Sequence, residues 1–152
     1  MSKVYNESKN MKKFQKGYSM TISKERFAKL LDQLDVSYSC DEGFEFILKK
    51  NDFRVKYYFE VDEDTNSIIA KSVCHQKIDQ NNLLKVGDFC QEWHRDWRKP
   101  KVFYYGEALF CDWTWDLPEN VDDQYLLETV IQSFVYISED CYTKAKEEGI
   151  FG

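Results

Sequence analysis

"KVFYYGEALFCDWTWD", residues 101–116, reads as two strands around a two-residue turn, and the fold can be worked outward from it. Gly106 opens the turn, as the first central position of a type II′ hairpin requires, because glycine takes a positive φ without steric cost. Two-residue turns fix register. Tyr105 should face Ala108, Tyr104 Leu109, Phe103 Phe110, Val102 Cys111 and Lys101 Asp112. Strand alternation then places Val102, Tyr104, Leu109, Cys111, Trp113 and Trp115 on one apolar face. Lys101, Phe103, Tyr105, Ala108, Phe110, Asp112 and Thr114 take the other.

Upstream, "NNLLKVGDFCQEWHRDWRK" carries Leu83, Leu84, Val86, Cys90, Trp93 and Trp97 at helical spacing, with Asn81 or Asn82 to cap it and Pro100 to stop it. Gly87 costs that helix about 1 kcal/mol relative to alanine, and close packing on the sheet is the expected reason for it. Further upstream, "FRVKYYFEVD" alternates Phe53, Val55, Tyr57, Phe59 and Val61 with polar residues over ten positions, the period of a half-buried strand. "VSYSC" and "FEFILKK" precede it and "SIIAKSVCHQ" follows the "EDTN" turn, which makes an antiparallel meander. "SKERFAKLLDQLD" opens the fold as an amphipathic helix capped by Ser23. Past Pro118, Asn120 or Asp122 caps a long final helix with Leu127, Val130, Ile131, Phe134, Ser138 and Cys141 on one face. The expected order is α-β-β-β-β-α-β-β-α, an α+β domain over residues 21–148 whose antiparallel sheet is packed by helices on one side.

A chain of 152 residues with 43% hydrophobic and 16% aromatic content suits one domain with a real core. Net charge is −6, yet residues 1–20 hold Lys3, Lys9, Lys12, Lys13 and Lys16 against Glu7, so a +4 segment leaves −10 on the remainder. That segment is expected to be a flexible, solvated tail. It lacks the apolar stretch of a secretory signal, and no apolar run is long enough to span a bilayer. An acidic body disfavours a phosphate backbone as partner. Cys40, Cys74, Cys90, Cys111 and Cys141 show no Cys-x-x-Cys spacing and read as small apolar residues in a reducing cytoplasm.

The order of elements, and "RKPKVFYYGEALFCDWTWDLPENVDD" in particular, resembles the YbjN family, often labelled bacterial sensory transduction regulators, whose fold is similar to type III secretion chaperones. In that family a helix leads through polar residues into a Lys-Val-aromatic strand, a short turn, a second strand ending in Asp-Leu and a capped final helix. The likeness covers roughly residues 20–145. The middle helix departs from the pattern: an Asn-x-x-Asn pair is usual there, whereas this chain has Cys90 and Trp93. The resemblance implies a non-enzymatic regulatory or chaperone-like domain, with no cofactor and an undefined protein or peptide partner.

Trp93, Trp97, Trp113 and Trp115 are expected in the core, where the middle helix meets the apolar face of the hairpin. Phe103, Tyr105 and Phe110 on the opposite face, with Asp112 beside them and Tyr58 extending them, form the candidate protein-binding face. Self-association, a foreign partner, or coverage by Val4, Tyr5, Met11, Phe14 and Tyr18 of the N-terminal segment would each hide it. The acidic surroundings point to a basic partner segment. Two competing readings remain in the sequence. Cys90 and His94, four apart on a helix, with Cys74 or His75 nearby, sketch a zinc site or a thiol nucleophile, though without a fourth ligand or an orienting partner. Sheet aromatics can also stack single-stranded bases, but Arg95, Arg98, Lys99 and Lys101, close to Asp96 and Asp112, are the only dense basic cluster beyond the N-terminal segment. "DEDTNS" mimics the start of a calcium loop, but Ser67 and Val73 stand where glycine and glutamate are needed, so it reads as a hairpin turn.

Overall fold

Helix α1 (Lys24–Gln33) begins where the Ser23 hydroxyl accepts the Arg26 N–H at 3.1 Å, and it buries Phe27, Leu30 and Leu31. The computed structural model describes residues 21–50 and 52–152; the basic N-terminal segment lies outside them. After α1 come β1 (Ser39–Cys40), β2 (Phe44–Lys50), β3 (Phe53–Asp62) and β4 (Ser67–Cys74). A 3-10 turn (Gln80–Asn82) leads into α2 (Leu83–Trp97), then β5 (Lys101–Tyr105) and β6 (Ala108–Asp116). The chain closes on α3 (Asp123–Tyr125), a π-helical stretch (Leu126–Gln132) and α4 (Ser133–Glu147), which run on without a break. The order matches the sequence reading: α+β, with a six-stranded antiparallel sheet in the order β1-β2-β3-β4-β6-β5.

The hairpin register is the expected one, pair by pair, and Gly106 has φ +60°. β6 then pairs with β4, so residues 75–107 form an excursion that returns the chain to the sheet and leaves β5 on its edge. Pairing aligns the inward side chains in rows: Phe44, Phe59, Ala70 and Trp113; then Phe46, Tyr57, Ser72, Cys111 and Val102. Large rings flank small residues on β4, and α4 fills the resulting depression. Phe134 stands edge-on to Tyr57, Phe59 and Trp115 with ring centroids 6.2, 5.8 and 6.0 Å away, while Phe27 of α1 meets Phe44 and Phe59. Each such fully buried ring contributes about 1.5–3 kcal/mol. At the centre the Ser72 hydroxyl bonds Ser138 (3.0 Å) and the Tyr142 hydroxyl (2.9 Å), so the buried polar groups satisfy one another.

Asn66 ties three segments together. Its Oδ1 accepts the Ile22 N–H at 2.8 Å, its Nδ2 donates to the Leu117 and Pro118 carbonyls at 3.1 Å each, and its backbone carbonyl accepts the Leu117 N–H. Asn66 also holds φ +51°, which asparagine tolerates better than most residues. The turn before it is closed by Asp62 Oδ1, which accepts from the N–H groups of Asp64 and Thr65. This is the Asx-type hairpin turn that the calcium-like motif was expected to be.

Four expectations need correction. Trp97 is not core: it is 55% exposed and stacks on buried Trp93 (5.4 Å, 24°), because α2 outruns the sheet it packs on. Gly87 is not a close-packing glycine, since a Cβ there would meet no atom within 4 Å. The final helix buries Leu126 with Val130 and Ile131 and leaves Leu127 half-buried, within the π-helical stretch that widens the turn there. Tyr104, on the inward side of β5, is also partly exposed, as the sheet edge there extends past the helices.

Two stability measurements follow from these features. Asn66→Gly keeps the positive φ but loses the side-chain bonds, so urea unfolding should show a loss of about 2–3 kcal/mol; an unchanged midpoint would mean the three-segment tie is incidental. Gly87→Ala should raise stability by up to about 1 kcal/mol, since the added methyl meets only space and helix propensity improves.

Candidate functional site

All three long helices pack on one side of the sheet, so the outward side chains of five strands form a single open face. Register orders that face into rows. Lys49, Arg54, His75, Ala108 and Tyr105 form the first; Ile47, Lys56, Val73, Phe110 and Phe103 the second; Glu45, Tyr58, Lys71, Asp112 and Lys101 the third. The second row is an apolar stripe crossing the whole sheet, interrupted only by the Lys56 stem. Phe103 and Phe110 lie parallel (5.3 Å, 10°), with Lys101 Nζ 5.8 Å from the Phe103 centroid. Tyr105 beside them is 78% exposed.

The candidate face is thus partly assembled. Phe103, Tyr105, Phe110 and Asp112 are adjacent, with Asp112 facing Lys101 on one neighbour strand and Lys71 on the other. Tyr58 stands apart, two strands from Phe110. Its ring lies over Gly43, where an added Cβ would come within 2.6 Å of it, and its hydroxyl donates to Glu60 Oε1 at 3.3 Å. Coverage by the N-terminal segment falls outside the described residues. The expected acidic surroundings hold at one end of the face only. Lys49, Arg54, Lys56, Lys71 and Lys101 stand in the three rows with Glu45 and Asp112, while Glu60, Asp62 and Asp116 share their parity further along β3 and β6, so the face carries both signs and its cations gather towards the Lys49–Arg54 end. Lys56 pairs with Glu45 at 3.5 Å, whereas Lys49, Arg54 and Lys71 enter no ion pair among the described residues. Sequence reading missed Ile47 and Val73, whose outward position on alternating strands was legible but whose alignment with Phe110 required the β4–β6 pairing. Between Ile47, Arg54, Lys56, Val73 and His75 the face dips into a hollow of ≈ 270 Å³.

A second hollow, ≈ 400 Å³, lies on the helix side among Leu34, Val36, Phe46, Leu48, Ile131 and Val135. It is lined by core and near-core side chains and holds no group suited to chemistry beyond the Lys50–Glu139 pair at its rim (3.1 Å).

Cys90 and His94 have structural surroundings. His94 Nε2 accepts the Val102 N–H at 2.8 Å, satisfying an edge donor of β5, and burial pushes the Cys90 thiol up to about 11. Cys74, inward on β4, is likewise pushed up to about 11 by burial, while His75 lies exposed with Nδ1 accepting the Arg54 N–H. Among the described residues no three His, Cys, Asp or Glu side chains are grouped to hold a metal ion. Cys141 and Tyr142 are also held far above their ordinary values by burial, whereas at Cys111 burial is outweighed by hydrogen bonds from Cys141, Tyr142, Ser72 and Ser138, which draw its thiol below the ordinary value. Trp93 and Trp115 are buried, Trp113 is half-buried against Trp115 (4.4 Å), and the Trp93 Nε1 has no hydrogen-bond partner among the described residues.

The architecture defines an α+β domain with one helix-covered and one open sheet face, and no described helix is long and apolar enough to cross a membrane. Its fold is that of YbjN. The crystal structure of YbjN from E. coli, described as "a putative transcription regulator", aligns with 86% of this chain and 96% of its own at a TM-score of 0.68 and 14% identity. At that identity the likeness is one of fold. No protein-family model and no curated protein matches the sequence.

Thiol titration separates the structural reading of Cys90 from a reactive one. In the native chain at neutral pH only exposed Cys40 should react promptly with a disulfide reagent, and buried Cys74, Cys90, Cys111 and Cys141 only on unfolding. His94→Ala should lower stability by about 1 kcal/mol and leave that pattern unaltered; prompt reaction of a second thiol that depends on His94 would restore the nucleophile reading.

Proposed function

We propose that this chain is a non-catalytic regulatory or chaperone-like domain of YbjN type that acts by binding a protein or peptide through its open sheet face. The observation that carries the reading is the apolar stripe ending in the parallel Phe103–Phe110 pair and exposed Tyr105, on a face that no described helix covers. Stripes of this kind on a monomer mark contact surfaces, and burying the aromatic end would supply affinity. The fold likeness to a protein described as a regulator supports the same direction. A cytoplasmic setting fits five cysteines of which four are buried thiols and none is paired.

Nucleic acid is the competing reading, because cations and rings share the face. The rings are poorly placed for it: Phe103 and Phe110 stack on each other, Lys101 sits over Phe103, and Asp112 and Glu45 would face the phosphates. With −6 on the whole chain, a strand tracking across the face would also leave the basic rows for carboxylates.

A photo-crosslinking residue at Tyr105, compared with one at Tyr136 on α4, which is also well exposed, tests the assignment in cells. Defined protein adducts at position 105, absent at 136 and lost when Phe110→Asp is added, are expected. Equal labelling at both positions, or an unfolded Phe110→Asp variant, would remove this face from the function.

A further inference from the structure

The open face is balanced in charge and divided about its own middle strand, which specifies its partner more closely, given that the face is the binding surface. Five cations on its strands, Lys49, Arg54, Lys56, Lys71 and Lys101, stand with five carboxylates, Glu45, Glu60, Asp62, Asp112 and Asp116. A neutral surface therefore lies on a chain of net charge −6, and two copies can meet there without net repulsion. β4 runs down its middle, with β3 and β2 on one side and β6 and β5 on the other. The two halves differ in kind. In the first row Lys49 shares its level with Tyr105; in the second, Ile47 and Lys56 share theirs with Phe103 and Phe110; in the third, Glu45 and Tyr58 share theirs with Lys101 and Asp112. Cations and an aliphatic side chain on one half thus lie level with rings on the other, and a carboxylate with a lysine.

We propose that the partner is a second copy of this chain, stacked face to face about a two-fold axis that runs along β4. Such a rotation keeps each row at its own level and lays β2 on the partner's β5 and β3 on the partner's β6. Ile47 then packs on the partner's Phe103, Lys56 lies over the ring of the partner's Phe110, Lys49 meets the partner's Tyr105, and Glu45 the partner's Lys101. The symmetry makes every such contact twice. On the axis Val73 and Ile69 each meet their own copy. Lys71 does so too, with Asp112 in register beside it to balance the charge, and Asp62 opposes the partner's Asp116 at the far end, which bounds the contact there. Rotation about the apolar row instead would set every strand on its own copy, bring the two Lys56 residues together and forfeit the paired contacts. Stacked sheets align within about 30° and lie about 10 Å apart, which leaves room for the rings to interdigitate. Three rows of five positions, on strands about 4.8 Å apart with rows about 6.8 Å apart, cover roughly 500 Å² a side; roughly 1,000 Å² in total is the low end of a specific interface and suits micromolar association.

The test is light scattering on the full chain and on two charge reversals. At about 200 µM the parent chain should approach twice the mass of one copy. Glu45→Lys and Lys101→Glu should each weaken association about tenfold or more, since either sets like charges together at both symmetry-related contacts. Both side chains reach solvent, so circular dichroism should show each variant folded. An equimolar mixture of the two variants should recover the dimer, because each introduced charge then meets its opposite on the other variant. A structural role for Glu45 or Lys101 within one copy gives no such rescue. A parent chain that stays monomeric up to about 0.5 mM overturns the proposal. So does a dimer that ignores both reversals, or a mixture of the variants that stays apart. Phe110-dependent adducts at position 105 with another protein, found alongside a monomeric chain, would still hold the face as a binding surface and put a foreign partner in place of the second copy, so the two failures are distinct.

Discussion

The final helix can lie on the sheet only because the middle strand is small. Ala70, Ser72 and Cys74 occupy the inward positions of β4 between Phe59, Tyr57 and Val55 on one side and Trp113, Cys111 and Leu109 on the other. That depression admits α4 closely enough for Ser138 and Tyr142 to bond the Ser72 hydroxyl. Apolar packing alone is non-directional, and a helix can slide along a greasy groove at modest cost. A buried hydroxyl left unpaired costs about 1–3 kcal/mol, so the Ser72 node fixes the translation and rotation of α4 together. Phe134, one turn earlier, then reaches the three rings it meets edge-on, and α1 packs its Phe27 against the strands that α4 has already covered.

Much of this was legible where a rule is local. The hairpin register followed from a two-residue turn with glycine first, and β3 from ten residues of strict alternation. Both are decided by neighbours in the chain. Asn66 was not legible, because its partners Ile22 and Leu117 are 44 and 51 residues away, and nothing in "DEDTNS" distinguishes a tie from a turn. The π-helical stretch was equally hidden. Leu126 and Leu127 are adjacent and identical, and both lie at helical spacing from buried Val130, four and three residues on, so periodicity does not choose between them. Trp97 shares the helical face of Trp93, yet position along the axis, which periodicity does not encode, takes it beyond the sheet.

The open face shows the same division. Parity along each strand gave Phe103, Tyr105, Phe110 and Asp112 to one side without long-range information. The distribution of charge around them was not legible, because it was summed along the chain. Lys49, Arg54, Lys56, Lys71 and Lys101 come from four strands and span positions 49 to 101, and only the β4–β6 pairing brings the last beside the others. Tyr58 shows the converse error. It has the right parity but the wrong row, and Gly43 beneath its ring gives it an intramolecular role.

Sheet topology also explains why hydrophobicity is distributed so unevenly across one small domain. Helices confined to one side bring their exposed residues with them, and the carboxylates of α1, the 119–123 loop and α4 lie there. The open face is built solely from strand residues of one parity, so its composition is free of the demands of helix solubility. It carries Ile47, Val73, Phe103 and Phe110 without any core to cover them. An uncovered apolar row invites association, and the charged side chains of both signs on either side of it, Lys49 and Arg54 towards one end and Glu60 and Asp62 towards the other, keep its flanks hydrated.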